Sequence, residues 1–131
     1  MNANLLLFVL CHAIASSVSN ATGSCLKNGW FTHLDYDYCI ISQNFSFKDA
    51  ESKCKLFDTT AEIPTYSNTT KTAFQTAANL NPDDAKIWIK KCPNFFFDGI
   101  CCYYHEKLGV RNASCEAKVN TLCQRSRLRT F

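Results

Sequence analysis

Glycine is scarce in this chain, with four in 131 residues. That leaves no glycine-rich loop to cradle a phosphate and no strained turn to present a serine nucleophile. A strong excess of one charge is missing too. Fourteen Lys and Arg against eleven Asp and Glu give a net charge of +3. Lys and Arg are scattered apart from Arg125, Arg127 and Arg129, and nothing resembles a basic stripe with interleaved aromatics of the kind that binds nucleic acid. From Met1 to Ser19 there is no Asp, Glu, Lys or Arg at all. Beyond that segment, no apolar run approaches the roughly 20 residues that span a bilayer, so stable membrane insertion is not expected.

The first segment does carry an apolar run, Leu5 to Ala15, followed by the small residues Ser16, Ser17 and Ser19. Its length is that of a signal-peptide core. We expect residues 1–19 to be a signal peptide, cleaved between residues 15 and 21, and the product to be secreted and extracellular. Cys11 and His12 leave with it. The remaining stretch of about 110 residues fits one compact domain, placed at residues 25–125 and followed by a basic tail at 126–131. Arg125, Arg127 and Arg129 read as a solvated, frayed terminus.

Eight cysteines remain, at Cys25, Cys39, Cys54, Cys92, Cys101, Cys102, Cys115 and Cys123. An even set in a short secreted chain reads as a disulfide framework. Oxidised cysteines do not ligate zinc, and neither Cys102 with His105 nor His33 with Asp35 and Asp37 has a second half-site of suitable spacing. No metal or cofactor is therefore expected. Four Asn-x-Ser/Thr sequons begin at Asn20, Asn44, Asn68 and Asn112. Asn20 is too near the cleavage region, so Asn44, Asn68 and Asn112 are the candidate glycosylation sites.

Local patterns predict an α+β chain. Asn28-Gly29 between aromatic runs signals a tight turn, and a hairpin closed by Cys25 and Cys39 is the simplest reading. Ser46 with Asp49 resembles a capping box, and Phe47, Ala50, Cys54 and Phe57 form a helical stripe that points Cys54 into the core. Ala61 to Pro64 reads as a strand-like connector. A second helix starts within Ser67–Thr70, carries Ala73, Phe74, Ala77, Ala78 and Leu80 on its apolar side, and stops at Asn81-Pro82-Asp83-Asp84. Lys86–Lys90 alternates like a half-buried strand, and Ile100–Glu106 reads as another. A polar loop follows Gly109, and Cys115 to Cys123 gives the last strand.

Cys25 with Gly29-Trp30, Cys39 after an aromatic pair, the run from Phe47 to Cys54, Trp88-Ile89, and Cys115 to Cys123 followed by Gln124 together resemble the C-type lectin-like domain. The resemblance covers residues 25 to about 125. It implies two helices with antiparallel sheets, stapled by about four disulfides, with Cys54 joined to Cys123 and Cys25 to Cys39. The third family bridge ends at Cys115. Adjacent strand residues face opposite sides, so Cys101 and Cys102 cannot serve one site. The loop length favours Cys101–Cys115 with Cys92–Cys102 as a local clip, and exchange of Cys101 and Cys102 is the alternative.

Sugar-binding members of that family hold calcium through a Glu-Pro-Asn or Gln-Pro-Asp triplet in a long loop and a Trp-Asn-Asp triplet later in the chain. Here the stretch from Trp88 to Cys101 is short. Its nearest triplet is Cys92-Pro93-Asn94, and the second reads Val110-Arg111-Asn112. Calcium needs several carboxylate or carbonyl oxygens, so the resemblance implies a protein or glycan ligand recognised without calcium, in an immune or host–microbe setting, and no catalysis. Phe95, Phe96 and Phe97 cannot all point inward from a short loop, which makes them the candidate ligand contacts. A rival reading comes from Cys101-Cys102-Tyr103-Tyr104-His105-Glu106, which is similar to the Cys-Cys-x-x-His-Asp run of secreted phospholipases A2. His105 would then be a general base. The acid is Glu106, however, and the glycine-rich calcium loop of that family is missing.

Overall fold

The computed structural model describes residues 23–81, 84–93 and 100–127. The expected signal peptide, the Asn20 sequon, Pro82, Asp83, Phe95–Phe97 and the tail from residue 128 lie outside them. The described chain runs β1 (Phe31–His33), β2 (Tyr36–Phe45), α1 (Phe47–Phe57), α2 (Lys71–Leu80), β3 (Lys86–Ile89), β4 (Ile100–His105), β5 (Gly109–Ser114) and β6 (Val119–Ser126). The strands form a sheet in the order β1-β2-β6-β3-β4-β5. All neighbours pair antiparallel except β3 and β6, which meet parallel at Ile87 and Asn120. No helix among the described residues is long and apolar enough to cross a membrane.

Strand alternation splits the core into two layers. One side collects Cys39, Ile41, Trp88, Val119 and Cys123 against Ala50 and Cys54 of α1. The other collects Tyr38, Ile40, Ile87, Ile89, Tyr104 and Leu122 against Ala73, Phe74, Ala77 and Ala78 of α2. Each helix thus covers one face, as the period of two along a strand requires. The Ser46 hydroxyl starts α1 by accepting from the Asp49 backbone N–H at 3.4 Å, which satisfies one of the orphan donors of the first turn. Tyr66, Phe74 and Tyr104 form a ring cluster, with centroids 5.4–5.6 Å apart, that fastens α2 to β4.

Four disulfides join Cys25–Cys39, Cys54–Cys123, Cys92–Cys102 and Cys101–Cys115. Cys101 and Cys102 are neighbours on β4 and their bridges leave on opposite faces. Cys102 belongs to the α2 layer, whereas Cys101 packs against the α1 layer.

Several local expectations need correction. Residues 25–27 form a 3-10 turn that ends on Asn28 in the left-handed region. The first hairpin turns instead at Leu34 and Asp35, between His33 and Tyr36. Ile87, Trp88 and Ile89 are all buried, because β3 is a central strand covered on both faces. Leu80 is 42% exposed and lies outside the core. The stretch after Gly109 is the edge strand β5, not a loop, and the last strand begins at Val119, with Cys115 in the turn before it. The Ala61–Pro64 connector makes a single bridge, Glu62 to Gln124.

The longest and the shortest of these bridges can be ranked. In the chain-entropy picture, the Cys54–Cys123 bridge, 69 residues apart, contributes about 4.4 kcal/mol, and the Cys92–Cys102 clip, 10 residues apart, about 2.7 kcal/mol. Urea unfolding of the Cys54→Ala/Cys123→Ala and Cys92→Ala/Cys102→Ala pairs should therefore show the larger loss for the first pair.

Candidate functional site

The β3–β4 connection is where the sequence places ligand contacts. At its base, Ile89 pairs with Cys102, and Cys92 is bridged back to that same residue. Cys92, part of the Cys92-Pro93-Asn94 triplet, is therefore a half-buried half-cystine. Next to it, the Lys90 backbone N–H donates to the Pro64 carbonyl at 3.0 Å. Its ammonium meets the Glu62 carboxylate at 2.6 Å, so that acid is already matched by a cation. Val110, Arg111 and Asn112 lie on β5, with Arg111 and Asn112 exposed. A shallow hollow of about 250 Å³ is lined by Ile100, Asn112, Ala113 and Ser114. Among the described residues, the only group of three or more His, Cys, Asp or Glu with ligand atoms within 4.8 Å of one another is Cys25, Cys39 and Cys123. All three are bridged.

His105 sits at the opposite end of β4, beside Lys86 of β3. It is 5% exposed, neither solvent-facing nor poised as a base. Its Nδ1 accepts from the backbone N–H groups of Lys107 and Leu108, at 3.2 and 3.1 Å. That places the ring proton on Nε2, which donates to Asp84 Oδ1 at 2.5 Å. Both ring nitrogens are committed to the fold, and a general base needs a lone pair turned toward its substrate or a water. The imidazole instead ties the start of β3 to the β4–β5 turn. Asp84 is 75% exposed on its side chain and adopts φ 56°. Its carboxyl is held below the ordinary 3.8 by the His105 hydrogen bond first, with the charges of Lys107 and Lys86 adding to it. Asp84, read from sequence as part of a helix stop, thus has a structural role.

Arg125 corrects the reading of a frayed basic terminus. It belongs to β6 and its side chain is 14% exposed. The guanidinium lies 3.9 Å from the Trp30 ring centroid, donates to Asp58 at 3.2 Å and stands 3.6 Å from Asp37. Thr60 and Arg125 together hold the Asp58 carboxyl below 3.8, the Thr60 hydroxyl contributing most. Two residues on, the Arg127 backbone N–H donates to the Asp35 carbonyl at 2.9 Å. The sequence signal for this role was available: Arg125 follows Gln124 on a strand that must pair with Asp37 if Cys39 opposes Cys123.

The structure leaves the other sequence candidates apart. Phe95, Phe96 and Phe97 lie outside the described residues. Asn44, Asn68 and Asn112 are all exposed, on a bulge of β2, in the turn before α2 and on edge strand β5 respectively.

No family model and no curated protein matches the sequence. Solved structures do. Botrocetin superposes with a TM-score of 0.60 and 16% identity, over 75% of this chain and 96% of its own. Human lithostathine gives 0.61 at 13% identity, over 76% of this chain and 98% of its own. CEL-IV gives 0.59 at 10% identity, over 78% of this chain and 94% of its own. These are C-type lectin-like proteins, and at such identities the likeness establishes the fold: two helices, a six-stranded sheet and four disulfides in the C-type lectin-like arrangement. Botrocetin is also seen in complex with the von Willebrand factor A1 domain, and rhodocetin in complex with the integrin α2 A domain.

The Asp84 contact has a defined pH signature. Its folded state binds a proton less tightly than the unfolded chain, so the contribution is complete above pH 3.8 and fades as pH falls through the lower folded value. Thermal unfolding of wild type and Asp84→Asn should differ most near neutrality, and the gap should shrink as pH falls below 3.8.

Proposed function

We propose that this chain is a secreted, glycosylated C-type lectin-like protein that binds a protein or glycan ligand without calcium and without catalysis. The observation that carries the proposal is the fate of the calcium positions. Cys92 is consumed in a disulfide to Cys102, and Arg111 brings a positive charge to an exposed edge strand. A hard divalent cation requires several converging oxygen ligands, and neither position offers a carboxylate. Protein ligands have precedent among the structural neighbours, since botrocetin binds the von Willebrand factor A1 domain and rhodocetin the integrin α2 A domain. Phe95–Phe97, in the connection clipped by Cys92, are the proposed contacts, because aromatic side chains supply large contact area at low entropic cost. Asn44, Asn68 and Asn112 are the proposed glycan attachment points. Immune or host–microbe recognition is the setting that this reading favours.

Phospholipase-type hydrolysis is disfavoured by the His105 geometry, in which both ring nitrogens are already bonded. A screen of immobilised glycans and extracellular protein domains, run in calcium and repeated in chelator, tests the proposal. The same ligands should be retained with unchanged affinity. Loss of binding on chelation would contradict it, as would a calcium-dependent lipase activity abolished by His105→Ala.

A further inference from the structure

We infer that the first N-acetylglucosamine carried by Asn44 seats in a polar groove at the end of the sheet and completes its hydrogen bonding. The inference rests on the reading of Asn44 as a glycosylated sequon. Asn44 is thrust outward by an irregularity in the ladder. Ile41 pairs with Thr121 and Phe45 with Val119, so four steps along β2 are matched by two along β6. Such a bulge re-aims side chains, and Ser42, Gln43 and Asn44 are exposed in consequence. The bulge is fixed on its far side, where Trp88 Nε1 donates to the Phe45 carbonyl at 2.8 Å.

Beside it lies a groove of about 140 Å³ lined by Asn44 itself, Asp84, Lys86, Lys118 and Asn120. That is room for one sugar ring. Asn120 is 9% exposed, and its side-chain oxygen is buried without a hydrogen-bond partner. A buried acceptor left unpaired is costly, and native structures rarely tolerate one. The acetamido N–H and hydroxyls of N-acetylglucosamine are the donors that this oxygen lacks, and a turn about the soft terminal torsion of Asn120 brings it to the opening. Lys86 and Lys118 donate in return to the sugar's carbonyl and hydroxyl oxygens. Tethering through Asn44 supplies a high effective concentration, so contacts too weak to hold a free sugar are sufficient. Neither Asn68 nor Asn112 lines this groove.

The full chain, secreted from a glycosylating host and trimmed by an endoglycosidase to single N-acetylglucosamine stubs, provides the test. Glycopeptide mapping reads occupancy, and thermal unfolding with hydrogen exchange reads the seat. Asn44 should be occupied, and trimming should leave the melting midpoint in place. Asn44→Gln should lower it by about 4 °C, the shift that one net hydrogen bond gives in a domain of this size, and should speed exchange across residues 118–121. Asn120→Ala should cost stability in the glycosylated protein and be neutral or stabilising in the Asn44→Gln background. Asn68→Gln and Asn112→Gln should leave exchange at residues 118–121 unchanged. An occupied Asn44 whose removal changes neither midpoint nor exchange, or additive Asn44 and Asn120 effects, overturns the seat alone. An unmodified Asn44 overturns the seat together with the glycosylation reading.

Discussion

The structure hangs on one rung of the β2–β6 ladder, where Cys39 faces Cys123. Each of the two carries a disulfide, Cys39 to Cys25 and Cys123 to Cys54, and both bridges lie in the same buried layer. The rung therefore fixes three things together. It sets the register of the two strands, docks α1 through Cys54, and folds the amino-terminal turn back onto the sheet. A slip of one residue would send every side chain to the wrong face. With the register held, Tyr38, Ile40 and Leu122 are directed to the α2 layer, and both helices are placed by a single constraint.

Charged side chains then close the ends of this frame. Two residues beyond the rung, Arg125 faces Asp37 and gathers Trp30 and Asp58 around its guanidinium. At the far corner, His105 joins Asp84 to the β4–β5 turn. A titratable pair in a groove invites a catalytic reading, but the partners show what each group does. The imidazole has no lone pair to spare, and the guanidinium is packed against an aromatic face and two carboxylates.

How much of this was legible in the sequence varies with the kind of signal. Helix α1 was readable because its cap, stripe and cysteine all agree: Ser46, then Phe47, Ala50, Cys54 and Phe57. The α+β class followed from such agreements. Strand β5 was not readable, because Gly109-Val110-Arg111-Asn112-Ala113-Ser114 has one neighbour and exposes most of its side chains, so hydrophobic alternation is faint. The first hairpin misled for the opposite reason. Asn28-Gly29 is a strong turn signal, but the chain uses Asn28 to end a 3-10 turn, and reverses at Leu34 with φ 55°, a residue with no turn preference. Alternation showed that Cys101 and Cys102 must part, while only the sheet order showed that Cys102 faces α2. The Asp84–His105 contact spans 21 residues, and the groove beside Asn44 is assembled from β2, β3 and β6. No local pattern encodes either.

The C-type lectin-like fold is thus kept, while Cys92 is held in a disulfide and Arg111 and Asn112 stand exposed on edge strand β5, which is the basis of the proposal that ligand is bound without calcium. Calorimetric titration of the purified chain with calcium, paired with thermal unfolding at each end point, tests that claim most directly. Heats no larger than dilution and an unmoved melting midpoint are expected. Stoichiometric binding with a rise in the midpoint would contradict it.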